Sequence, residues 1–237
     1  MESKYDLLVH YDFGVDPGRV ASAALAAWEA SPRPPLLLFG KSGAGVKASE
    51  QSILSRLKRG TGMGAAVRLR TSRARKDRDD VDLYFTNPEY KDDRPCNFCA
   101  VAFFHDKLPS ASPGYRFDDL VRLTAALAEA SPCISGNLFL SALLGSEFWE
   151  KEREIAVRRS GGLWPQILHW ITFFPAAVRP HLPGPAGLRA AGLLVCREWP
   201  DGSLIVATGE QVPVDPAAHA GTLTEIMRRL KIIPETV

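Results

Sequence analysis

The sequence has no uninterrupted apolar run near the roughly 18 residues that would span a bilayer, which excludes the helical membrane-embedded classes. Its first residues, Met1-Glu2-Ser3-Lys4-Tyr5-Asp6, have no basic stretch followed by an apolar core, so the expectation is a soluble protein made and kept in the cytoplasm. Cysteine is scarce. There are four in 237 residues, and only Cys96 and Cys99 are close together, which excludes a secreted disulfide framework. Neither sign of charge dominates: 29 Lys and Arg against 27 Asp and Glu leave a net charge of +2. Bulk electrostatics therefore marks neither a general nucleic-acid binder nor an acidic nucleic-acid mimic, and any electrostatic function must come from local patches.

Catalytic and cofactor motifs are also missing. No Gly-x-Ser-x-Gly elbow and no His-Glu-x-x-His occurs, and His10, His105, His169, His181 and His219 are scattered without a nucleophile motif nearby. Gly40-Lys41-Ser42 follows an apolar stretch as in a phosphate-binding loop, but the position needing the first glycine is Pro35. A simple turn is the better reading. Gly60, Gly62 and Gly64 follow a basic helix and lead into a strand, the reverse of a dinucleotide motif, and read as a flexible joint. Cys96-Asn-Phe-Cys99 is half of a zinc site by spacing; Cys133 and Cys196 are isolated, so ordinary thiols are expected and no metal or cofactor. His219 falls in the first turn of the last helix, where packing or capping outweighs catalysis. The chain is not expected to be an enzyme.

What is present suits a packed globular fold, since 46% of residues are hydrophobic. Residues 5–11 alternate as a strand, and Asp16-Pro17 opens a helix with Val20, Ala24, Ala27 and Trp28 on one face, ended by Ser31-Pro32. Further strands are expected at 35–39, 65–70, 81–85 and 98–104, and helices at 49–58 and 117–130. The second of these ends in Glu129-Ala-Ser-Pro132, an echo of Glu29-Ala-Ser-Pro32 that common helix-stop chemistry explains better than duplication. The state of residues 138–144 is left open, 146–157 reads as a charged helix, and Gly161-Gly162 is the most plausible hinge. Pro200-Asp201-Gly202 between apolar runs at 192–198 and 203–208 signals a hairpin. Leu223, Ile226, Met227 and Leu230 give the last helix a buried stripe. The expected fold is α+β, a mixed or largely antiparallel sheet packed against helices in a sandwich-like arrangement. It is read as one domain over 1–237, with a possible division near 160–162 into 1–160 and 163–237.

Two charged segments stand out. Between Arg56 and Arg78 the residues Arg56, Lys58, Arg59, Arg68, Arg70, Arg73, Arg75, Lys76 and Arg78 accompany a single acid, Asp77. Such a patch suits phosphates or an acidic protein surface, with Arg73 and Arg75 as candidate contacts; equally, Asp79, Asp80 and Asp82 could neutralise it. In Glu147-Phe-Trp-Glu-Lys-Glu-Arg-Glu154, the acids Glu147, Glu150 and Glu154 share one side of a helix, and Trp149 would anchor a basic partner if exposed. The competing reading is a helix laced with its own ion pairs, its aromatics facing the core.

The segment 164–230 has a recognisable order of pieces: Trp170-Ile-Thr-Phe-Phe174, a Leu182-Pro183 connector, the Gly202-Ser-Leu-Ile-Val strand, and Asp215-Pro with His219 downstream. It resembles the closing part of bacterial immunity proteins of the immunity protein 52 family, over a little under a third of the chain. That resemblance implies an inhibitor paired with a nuclease toxin of the Tox-REase class, restriction-endonuclease-like effectors delivered by type VI secretion and related systems. The alternative of another class is a nucleic-acid-binding module using residues 56–78.

Overall fold

The structure is a computed structural model that describes residues 4–11, 16–30, 34–40, 43–59, 64–71, 80–86, 97–104, 116–130, 133–140 and 167–232. Along the chain it contains β1 (Lys4–Tyr11), α1 (Pro17–Glu29), β2 (Leu37–Phe39), β3 (Gly45–Lys47), α2 (Glu50–Leu57), β4 (Gly64–Arg70), β5 (Asp80–Thr86), β6 (Asn97–Phe104) and α3 (Phe117–Glu129). There follow β7 (Cys133–Leu140), β8 (Ile171–Phe174), a 3-10 helix (Ala176–His181), α4 (Pro185–Ala191), β9 (Leu194–Glu198), β10 (Leu204–Ala207) and α5 (Pro216–Arg229). The fold is α+β. No described helix is long and apolar enough to cross a membrane.

The ten strands form one sheet in the order β3-β2-β4-β5-β6-β1-β7-β8-β10-β9, and every neighbouring pair is antiparallel. Strands two places apart therefore run the same way, and a parallel pair needs a crossover. Helices supply it three times: α2 carries the chain from β3 to β4 around β2, α3 from β6 to β7 around β1, and α4 from β8 to β9 around β10. The architecture is thus three split strand-helix-strand units in one sheet, with β5 inserted between the first and the second. Strand β1 is the central splice, pairing with β6 from Lys4↔Phe104 to Tyr11↔Asn97 and with β7 from Tyr5↔Leu140 onwards.

Local chemistry explains the helices. Asp16 caps α1 by accepting the Gly18 N–H at 2.8 Å, with Pro17 in the first turn. Asp215 caps α5 through the N–H groups of Ala217 and Ala218 at 2.9 and 3.2 Å. Val20, Ala21, Ala24 and Trp28 of α1 and Leu120, Leu123, Thr124 and Leu127 of α3 recur at helical spacing and are buried. The Tyr11 hydroxyl donates to the Leu127 carbonyl, tying the central strand to α3. On the helix-covered face of the sheet lie Leu7, Val9, Val67, Leu69, Val81 and Leu83, all essentially inaccessible to solvent. Their sequence neighbours Arg68, Arg70, Asp80 and Asp82 point the other way and are partly or fully exposed. Strands β8 and β10 are buried at every residue, so both faces of the sheet are covered there.

Three elements depart from the sequence reading. β3 occupies residues read as the exit of a turn, and it is solvent-exposed throughout, so no apolar alternation marks it. β7 begins five residues before the stretch left open, and it contains Gly136 and Asn137, both poor strand formers. Space is tight at Gly136: a Cβ there would sit 3.3 Å from the Phe173 Cβ and 3.5 Å from Val9, so its neighbours would have to give slightly. α4 was read as part of a proline-rich connector. It starts on Pro185 and ends at Gly192 with φ +107°, and seven residues are too few to display helical periodicity.

Candidate interaction surfaces

Arg73 and Arg75, and Glu147, Trp149, Glu150 and Glu154, lie outside the described residues, as do Cys96 and the hinge at Gly161-Gly162. The flanks of the basic segment are described. Arg56 donates to the Phe39 carbonyl at 3.1 Å, and Arg59 to the Ser55 hydroxyl at 3.3 Å. Arg68 makes a fork to both carboxylate oxygens of Asp82, each at 2.6 Å. Its neighbour two residues on, Arg70, pairs with Asp80 at 3.6 Å. The register Arg68↔Asp82 and Arg70↔Asp80 puts each cation directly opposite its acid. Hydrogen bonding to Asp82, opposed by partial burial, raises the Arg68 pKa above its ordinary value. Two of the described cations of this segment, Arg68 and Arg70, are therefore neutralised across the β4–β5 pair, whereas Arg56 and Arg59 bond neutral oxygens. Because the Arg68 side chain is half exposed, a double-mutant cycle with Arg68→Ala and Asp82→Ala in urea unfolding should give a coupling of about 0.5–1 kcal/mol that shrinks with added salt. A coupling above ~2 kcal/mol would contradict this reading.

The remaining motifs resolve into structure. Gly40 follows β2, and its carbonyl accepts the Gly43 N–H at 3.0 Å while its N–H donates to the Ala44 carbonyl ahead of β3; Lys41 and Ser42 lie outside the described residues. The strand after it replaces the helix a phosphate site would need. Among the described residues no three His, Cys, Asp or Glu side chains gather as a metal site requires. Cys196 donates to the Leu194 carbonyl at 3.6 Å, and burial, helped by Glu210 and Asp118, pushes its pKa up to about 11. It is a thiol, not a thiolate, at neutral pH. His219 is buried in α5, its Nε2 has no hydrogen-bond partner, and burial pushes its pKa down to about 4. Packing, not capping, is its role.

One surface cluster brings together residues that no spacing connects. Trp199, just after β9, donates its indole N–H to Glu129 Oε1 at 2.6 Å, although the two are 70 residues apart. Arg197 lies over the Trp199 ring at 4.7 Å and pairs with the same Glu129 oxygen at 3.2 Å. Phe173 meets the indole edge to face, with centroids 5.7 Å apart. Behind it, Glu198 lies 3.9 Å from Arg179, which also donates to the Leu182 and Pro183 carbonyls. In the turn that follows, the Ser203 hydroxyl and N–H bond to Asp201 and hold its pKa below the usual carboxylate value. Trp, Arg and a carboxylate fixed in one half-exposed group is the composition of a protein-binding anchor. The only sequence signal was the hairpin itself, because Glu129 enters from α3.

No known family and no curated protein matches the sequence. By fold the chain is similar to Pseudomonas aeruginosa T6SS protein PA0821, with a TM-score of 0.53 and 11% identity over 98% of this chain and 73% of that one. At that identity the likeness is one of architecture.

Proposed function

We propose that this chain is an immunity protein, without catalytic activity of its own, that binds and neutralises a cognate secreted nuclease toxin in the cytoplasm of the producing cell and its kin. The observation that carries this reading is the fold likeness to a T6SS protein along nearly the whole chain. The finer part of the reading, an inhibitor, comes from the resemblance of residues 164–230 to the immunity protein 52 family, although no family model matches the chain. Inhibition of this kind needs only a tight interface that covers the toxin's active site or blocks a step it must take, with buried aromatic anchors and matched charges for specificity. The alternative, a nucleic-acid module on residues 56–78, is weakened by the pairing of Arg68 and Arg70 with Asp82 and Asp80. Co-expression with the toxin of the adjacent reading frame tests the proposal. The expected result is survival with the chain present and death without it. Equal killing in both cultures would sink it.

A further inference from the structure

We propose that Glu129, the last residue of α3, is a latch: its carboxylate clamps β9 and the turn after it onto the helix, so that this end of the sheet opens only when the clamp is released. The inference stands apart from the inhibitor reading above. Three observations carry it. First, one oxygen gathers the parts. Glu129 Oε1 accepts the Trp199 indole N–H at 2.6 Å and pairs with Arg197 at 3.2 Å, while the Arg197 guanidinium lies over the Trp199 ring at 4.7 Å. Each of the three side chains touches the other two. In such a closed circuit every contact orients the partners of the next, so removing one loosens both others.

Second, β9 needs a restraint that burial does not supply. Among the described strands it pairs with β10, and the register between them slips between Ile205 and Val206, which interrupts the ladder. None of the five residues of β9 is buried, whereas β10 is buried at every position. Local opening is easiest where few apolar contacts are buried, so the ladder alone leaves β9 prone to fray.

Third, the clamp closes on the residue that also forms the turn. Successive side chains of a strand point to opposite faces: Arg197 and Trp199 reach Glu129 on one face, and Glu198 lies 3.9 Å from Arg179 on the other. Phe173 of β8 meets the Trp199 ring edge to face. The Trp199 backbone closes the turn, its N–H donating to the Ser203 carbonyl at 2.9 Å and its carbonyl accepting the Gly202 N–H at 3.0 Å. Holding the indole therefore holds the turn, and the hairpin of β9 and β10 is tied to a helix end 70 residues earlier in the chain.

Residue-resolved hydrogen exchange on the full chain tests this, with the Trp199 and Gly202 amides as reporters and the amides of β1 as controls. Glu129→Ala should speed exchange of both reporters about 10-fold and leave β1 unchanged. Glu129→Gln keeps an oxygen for the indole N–H but loses the charge facing Arg197, so its reporters should exchange at rates between those of the wild type and Glu129→Ala. Trp199→Phe, which removes the indole N–H, should speed the Gly202 amide about 10-fold. The double variant Glu129→Ala/Trp199→Phe should add less than ~3-fold to that, because the two changes release the same clamp. Unchanged reporters in Glu129→Ala, or a double variant near the ~100-fold product of two independent losses, would overturn the latch. Equal acceleration in β1 would overturn it too, since Glu129 would then support the whole fold and not this end of it.

Discussion

Replacing Trp170 by alanine is expected to remove about 4 kcal/mol of folding stability, most of what a domain of this kind has to lose. The side chain is fully buried. Its indole N–H donates to the Gly209 carbonyl at 2.8 Å, and its own carbonyl accepts the Thr208 N–H at 2.9 Å. Its ring lies 6.3 Å from Phe117 of α3. One residue therefore joins the entry of β8, the exit of β10 and the helix that bridges β6 and β7. Truncation leaves a cavity too enclosed to collapse and strips the Gly209 carbonyl of its donor. Trp170→Phe separates the two contributions: it keeps most of the volume and should cost about 1–3 kcal/mol, the penalty for the orphaned carbonyl plus a smaller void. Urea unfolding of both variants measures this. A loss below about 1.5 kcal/mol for the alanine variant would mean that the segment is not locked as described.

Acid is expected to weaken the fold through His219. Burial holds its folded-state pKa at about 4 against an ordinary 6.5, so between those values the unfolded chain takes up a proton that the folded chain refuses. Stability is then fully present above pH 6.5 and is lost as pH falls toward 4, by about 3 kcal/mol in total at 1.36 kcal/mol per pKa unit. Other groups titrate in the same window, so the informative quantity is the difference from His219→Leu. An apolar side chain there leaves no polar atom unmet, because Nε2 has no partner to lose. The variant should unfold with a distinctly shallower pH dependence between 6.5 and 4. Parallel curves for the two proteins would show that the imidazole is reached by solvent.

Much of the fold can be read from local chemistry, and the parts that cannot share a cause. α1, α3 and α5 carry capping or stop residues and apolar stripes, and β1, β4 and β5 alternate cleanly, so their periods are visible in the residues themselves. β7 and α4 are hidden because Gly136 and Pro185 are chosen for a close approach and for a helix start, and both residues resemble breakers in isolation. The echo of Glu29-Ala-Ser-Pro32 in Glu129-Ala-Ser-Pro132 ends two helices alike, but the topology does not repeat with it. β2 lies four places from β1, whereas β7 lies two from β6. The two glutamates also diverge: Glu29 pairs with Lys47, and Glu129 holds Trp199 and Arg197. Function was less legible than fold. Arg68 and Arg70 belong to a basic run whose neutralising acids sit across a strand pair. The Trp199 cluster depends on contacts 26 and 70 residues away in the chain, and no spacing rule spans that.

The most direct test of the central claim is a titration of the adjacent reading frame's purified toxin with this chain, following cleavage of plasmid DNA. The account predicts that cleavage falls linearly to zero at a fixed stoichiometric ratio and that the two proteins co-elute. Undiminished cleavage in the presence of excess chain would contradict it.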